Sequence, residues 1–125
     1  MGSMVYFHPY GMYIYTMTRY KLNGTYFYCP VDLTLRIVGG RWKGLVIWNL
    51  RDKPKRFGEL KKILVTINDK MLTQTLRDLE VHGVVTRKVH AVVPPKVEYA
   101  LSKEGKKLLT IMQGMSDYGE KFKVK

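Results

Sequence analysis

Asn68-Asp69-Lys70-Met71-Leu72-Thr73-Gln74-Thr75-Leu76-Arg77-Asp78-Leu79-Glu80-Val81-His82-Gly83 is the stretch that decides the fold. Leu72, Leu76 and Leu79 recur at i, i+4 and i+7, so on a helix they form one inward stripe. Lys70, Thr73, Gln74 and Arg77 then share the opposite, polar face. Asn68 suits the N-cap, where its side-chain oxygen accepts a first-turn N–H, and Gly83 suits the stop. The outward residues are types that read base edges: Arg pairs with guanine, Gln with adenine, and Thr packs on the thymine methyl. Lys70, near the helix start, contacts either phosphate or base. A merely solvated helix face is the competing reading.

Just upstream, Phe57, Leu60 and Leu64 predict an amphipathic helix from about Phe57 to Leu64, with Lys61 and Lys62 outward. The short Val65-Thr66-Ile67 link makes the two helices a helix-turn-helix, the second carrying the basic and amide-bearing face. Downstream, Val84 to His90 is rich in β-branched residues. It is followed by Ala91-Val92-Val93-Pro94-Pro95 and then Lys96 to Leu101, which reads as strand, loop, strand: a β-hairpin wing. Its cations Arg87, Lys88 and Lys96 are expected on DNA phosphates or in a minor groove, with His90 a weaker candidate. Lys55 and Arg56, beside the preceding helix, are expected to clamp phosphate. Ser102 caps a final helix running to about Phe122, whose Leu108, Met112, Met115 and Phe122 make a seam suited to a subunit interface.

Toward the N-terminus, Arg41 to Arg51 reads as a core helix carrying Trp42, Leu45, Val46, Trp48 and Leu50. Before it, Pro30 opens a short helix that Gly39-Gly40 ends. Val31, Leu35 and Val38 fall on one face, while Leu33 and Ile37 add a second, so burial on more than one side is expected. Residues 1–28 form a Tyr-rich extension, and 29–125 the DNA-binding domain. Aromatic runs from Met12 to Leu22 and from Thr25 to Tyr28 flank Asn23-Gly24, a type I′ turn dipeptide, so the extension is expected to be a β-hairpin, an extended arm on a partner subunit, or in part the product of a start codon set too far upstream, with Met12 and Met17 as alternatives. Met1-Gly2-Ser3 reads as a cloning remnant.

The chain has 125 residues, enough for one compact domain, and 46% hydrophobic against 26% charged residues argues for a globular fold. Twenty-two Lys+Arg against ten Asp+Glu leave a net charge of +12, which suits a polyanionic partner such as duplex DNA. The pattern as a whole is α+β and mainly helical: a winged helix-turn-helix with a β-hairpin wing and a C-terminal dimerisation helix.

No nucleophile elbow, P-loop, dinucleotide fingerprint or HExxH motif is present, and His8, His82 and His90 are scattered. An enzyme, a metal site and a bound cofactor are therefore not expected. The absence of an apolar membrane span or secretory leader argues for a cytoplasmic protein that does not partner a membrane. Cys29, the single cysteine, precedes a helix N-terminus, where the helix dipole favours a thiolate. Charge alone also fits a nonspecific, architectural DNA-binding protein, and the fold alone fits a protein-interaction module.

The words Cys29-Pro30-Val31, Gly39-Gly40-Arg41-Trp42-Lys43, Lys55-Arg56-Phe57-Gly58-Glu59-Leu60, Lys70 to Glu80, Gly83 and Pro94-Pro95-Lys96-Val97-Glu98-Tyr99 occur in fixed order. Together they resemble the HxlR-type family of winged-helix transcriptional regulators, related to MarR-like regulators. The resemblance implies a homodimer built from the first and last helices, hence from Val31, Leu35, Leu108, Met112, Met115 and Phe122. It also implies a palindromic or near-palindromic operator and a response to a small-molecule or oxidant effector. Some members place a redox-sensing cysteine where Cys29 stands. The Tyr-rich extension is longer than the family pattern.

Overall fold

The structure is a computed structural model and describes residues 4–7 and 14–125; the expected cloning remnant at Met1-Gly2-Ser3 and His8 lie outside them. The chain forms two compact units, Met1–Val38 and Gly39–Lys125. The helix after Pro30 is thus grouped with the aromatic extension, whereas the boundary expected from the sequence lies ahead of Cys29.

In the first unit, β1 (Met4–Phe7) pairs antiparallel with β2 (Ile14–Met17), Met4 opposite Met17 and Phe7 opposite Ile14. A second hairpin joins β3 (Tyr20–Leu22) to β4 (Thr25–Phe27). Its turn is the expected one: Asn23 and Gly24 take φ of 46° and 82°, the left-handed pair that matches the twist of the flanking strands. The run from Met12 to Leu22 is not one strand, because it breaks at Thr18-Arg19 and its first part pairs back onto β1. Arg19 and Lys21 both lie over the Tyr26 ring, at 4.8 and 5.4 Å.

The hairpin β3–β4 packs against α1 (Pro30–Val38), which carries Asp32 in its first turn and Arg36 in its last, both favourable to the helix dipole. The expectation that this helix is buried on more than one side is not met. Only Val38 is buried, while Val31 and Leu35 are 64% and 52% exposed.

The second unit is built around α2 (Lys43–Asn49), α3 (Phe57–Ile63) and α4 (Asp69–Val81), followed by the hairpin β5 (Val85–His90) and β6 (Lys96–Leu101), then α5 (Lys103–Lys106) and α6 (Leu109–Glu120). Its core joins Val46, Ile47 and Leu50 of the α2 segment to Leu60, Leu64, Leu72, Leu76, Leu79, Val84, Val85, Leu101 and Met112, all buried. At about 1.5–3 kcal/mol for each fully buried aliphatic side chain, this cluster is the main favourable contribution to the unit's stability. Trp42 and Trp48 are half-buried at its rim, with Arg41 and Arg51 stacked over them at 4.8 and 4.1 Å.

The final helix is interrupted. Ser102 caps α5, its Oγ accepting the Gly105 N–H at 2.9 Å, but the chain then tightens through Lys107 N–H to Glu104 O and Leu108 N–H to Gly105 O before α6 begins. Gly105 marks a close approach. A Cβ built there would meet the Val84 carbonyl oxygen at 2.1 Å, so α5 sits directly on the backbone that leaves α4.

Candidate nucleic-acid interface

Both ends of α4 are fixed by local chemistry. The Asn68 side chain accepts the Met71 N–H at 2.7 Å. At the other end Gly83 takes φ 73°, its N–H reaches Glu80 O at 3.0 Å and the Val84 N–H reaches Leu79 O at 2.9 Å. This is a Schellman closure, and the two residues that its longer bond joins, Leu79 and Val84, are both buried. Leu72, Leu76 and Leu79 are buried, as is Thr75, whose hydroxyl donates to Met71 O at 2.7 Å. Lys70, Gln74 and Arg77 are exposed and Thr73 is half-exposed, so the structure brings all four expected residues onto one solvent-facing surface. The Gln74 amide nitrogen donates to Asp78 at 2.8 Å, which orients the side chain along the helix.

The wing register separates its cations. Lys88 opposes Glu98 and His90 opposes Lys96, whereas Arg87 opposes Tyr99. Residues directly opposite share a face, and alternate residues along a strand do too. Lys88, His90, Lys96 and Glu98 therefore occupy one face and Arg87 and Tyr99 the other. On the first face, His90 Nε2 and Lys96 Nζ lie 2.7 and 3.7 Å from Glu98 Oε1, so this carboxylate offsets part of the positive charge. The histidine contact is close but poorly aligned as a hydrogen bond.

On the other face, Arg87 and Tyr99 line a groove of about 380 Å³ with Thr73, Leu76, Arg77 and Glu80 of α4. It runs between the helix and the wing. The sequence alone points to Thr73, Arg77 and Arg87 without placing them together, and Tyr99 and Glu80 emerge only from the strand register and the helix phase.

Lys55, expected to clamp phosphate, is instead buried, and its ammonium donates to Asn49 O and, at 2.8 Å, to Asp52 Oδ1. That hydrogen bond from Lys55 holds the Asp52 carboxyl below the usual carboxylate range. Lys55 is unavailable because its backbone pairs with Tyr99 and carries the side chain inward. Its neighbour Arg56 is exposed; its N–H donates to Glu59 Oε1 at 3.0 Å at the start of α3. Lys61 is engaged by Asp69 across the helix-turn-helix turn.

The expected interface residues also divide. Met112 is 4% exposed and belongs to the core of its own unit, where α6 packs on α2. Leu108 is half-buried. Met115 is exposed and shares one face of α6 with Ile111 and Tyr118, and the exposed Phe122 lies just past the end of the helix. The Tyr118 and Phe122 rings approach to 5.8 Å between centroids. On α1, Val31 and Leu35 form a separate exposed pair. Cys29 is a free, exposed thiol, and its carbonyl accepts the Leu33 N–H at 3.2 Å to open α1. Among the described residues there is no His, Cys, Asp and Glu grouping that could hold a metal ion, and no helix is long and apolar enough to cross a membrane.

Comparison with known proteins gives one answer at every level. The model of the HxlR-like helix-turn-helix family matches residues 37–125. The helix-turn-helix-type transcriptional regulator YdeP of Bacillus subtilis is 48% identical over 95 residues, covering 76% of this chain and 74% of YdeP. Among solved structures, the redox regulator HypR in its oxidised form is similar with a TM-score of 0.74 and 43% identity over 78% of this chain and all of that one. The reduced transcriptional regulator YodB of B. subtilis follows at a TM-score of 0.67 and 36% identity, covering 77% of this chain and 95% of its own.

Proposed function

Because the chain belongs to the HxlR-like helix-turn-helix family, we propose that it is a homodimeric transcriptional regulator that reads a specific operator with α4. The observation that carries this reading is the double constraint on α4. Caps at both ends and three buried leucines leave it one orientation, with Lys70, Thr73, Gln74 and Arg77 outward and the wing alongside. A helix so presented fits the width of a major groove, about 12 Å, with Thr73 and Gln74 toward base edges. Lys70 and Arg56 flank that face as phosphate contacts. Lys88 and Lys96 serve the same end from the outer face of the wing, Lys96 more weakly because Glu98 shares its charge.

The second copy is assigned to apolar residues that each unit by itself leaves exposed: Ile111, Met115, Tyr118 and Phe122 in the second unit and, separately, Val31 and Leu35 on α1 in the first. Signal input is assigned to Cys29, which is exposed at the start of α1 in a chain similar to a regulator named for redox control. Two such thiols, one per protomer, lose two electrons and two protons to a diamide-type oxidant on forming a disulfide. Non-reducing gels and intact mass after diamide test this: a disulfide-linked dimer with altered DNA affinity is expected, and an unmodified monomer band with unchanged affinity contradicts it.

DNA reading is tested by competition gel shift of the protein on its own promoter region against random duplex at about 150 mM salt. A specific regulator gains on the order of 10³-fold there, whereas an architectural protein binds both alike.

A further inference from the structure

The groove between α4 and the wing has a composition that α4 alone does not explain. It is lined by the buried Leu76, by two guanidinium-bearing residues, Arg77 and Arg87, by the hydroxyl-bearing Thr73 and Tyr99, and by Glu80. Among the described residues neither arginine has an ion-pair partner, although Glu80 lines the same groove. Unpaired guanidinium groups converging on one concavity make an oxyanion site, because their planar forks match phosphate and carboxylate geometry.

Position says which oxyanion. A duplex that takes α4 in its major groove and the wing in the adjacent minor groove must carry the intervening sugar-phosphate strand across the gap between them. That gap is this groove. We propose that it seats one backbone phosphate of the bound duplex, held between Arg77 of α4 and Arg87 of β5. The inference rests on the DNA-reading function proposed above and moves Arg77 from guanine recognition to phosphate binding. Glu80 opposes the phosphate and limits the strength of the seat. Tyr99 is fixed beside it because its backbone is bonded to Lys55 in both directions.

The test measures full-length protein by fluorescence anisotropy on its own promoter fragment and on random duplex, across a salt series. Arg87→Ala and Arg77→Ala should each weaken binding about tenfold or more on both duplexes. Because the two side chains share one phosphate, the double variant should be little worse than either single one, and its salt slope should fall by about one in total rather than two. Glu80→Gln should tighten binding severalfold. Replacing single promoter phosphates by neutral methylphosphonates should reveal one position per half-site that costs the wild type affinity and costs Arg87→Ala nothing. This arm also stands if Arg77→Ala fails to fold.

If the promoter is preferred but the arginine variants bind like wild type, or add independently, the phosphate seat is wrong and operator reading survives. Loss of affinity from Arg77→Ala on the promoter alone would return Arg77 to base reading and overturn the seat. If the promoter is not preferred yet the arginines act non-additively on any duplex, the seat stands and operator reading falls.

Discussion

Lys55 and Tyr99 exchange two backbone hydrogen bonds, Lys55 N–H to Tyr99 O at 2.9 Å and Tyr99 N–H to Lys55 O at 2.8 Å. The pair adds a one-residue third strand to the wing and ties β6 to the segment entering the helix-turn-helix. Since Tyr99 also faces Arg87 across the hairpin, the same two bonds set where the wing stands relative to α4. Fold and site meet at this point.

Truncating Lys55 should therefore lower stability without acting as a lost DNA contact. Lys55→Met leaves the Asn49 carbonyl and the Asp52 carboxylate without their donor, and a cost of about 1–3 kcal/mol is expected in urea unfolding. DNA affinity measured well below the melting temperature should keep its salt slope. A slope reduced by about one would mean that Lys55 touches phosphate after all.

The same pair carries a pH dependence. The folded-state pKa of Asp52 is depressed by the Lys55 hydrogen bond, so its contribution is present above the ordinary carboxylate pKa and is lost as pH falls through the depressed value. Asp52→Asn should flatten that part of the acid limb in thermal melts, below the ordinary carboxylate pKa. An acid limb identical to wild type would contradict it.

Gly105 and Gly114 make a matched pair. Gly105→Ala drives a methyl into the Val84 carbonyl and should cost about 2–3 kcal/mol. Gly114→Ala, with open space at its Cβ inside α6, should be neutral or stabilising by up to about 1 kcal/mol. Equal melting temperatures for the two variants would refute the close approach of α5 to the end of α4.

On α6 the two faces should respond differently. Met112→Ala should destabilise the fold by about 2–4 kcal/mol, because it empties a core position. Met115→Glu should leave the melting of the monomer nearly unchanged while shifting sedimentation from dimer toward monomer. A dimer that persists in Met115→Glu would remove the α6 stripe from the interface.

Much of this was legible in the sequence where the determinant is local. Asn68, Gly83, Ser102 and Asn23-Gly24 each specify a cap or turn through their own backbone and side-chain chemistry, and each does so here. The leucine stripe fixed the outward face of α4 by the same kind of short-range rule. The misses are long-range. Nothing near Lys55 announces that Tyr99 will pair with its backbone and draw its side chain inward. The seam on α6 was misphased because apolar residues lie on both of its faces, and the tight turn at Lys107-Leu108 restarts the helix. The groove between helix and wing needed the strand register, which a list of cations cannot supply.

The central claim is that the outward face of α4 reads sequence, and the most direct measurement is competition binding by Gln74→Ala against wild type. Each is titrated on its own promoter fragment and on random duplex at about 150 mM salt. Wild type should prefer the promoter on the order of 10³-fold, and Gln74→Ala should lose promoter affinity by about tenfold or more while its affinity for random duplex holds. Equal loss on both duplexes, or no promoter preference in the wild type, would contradict it.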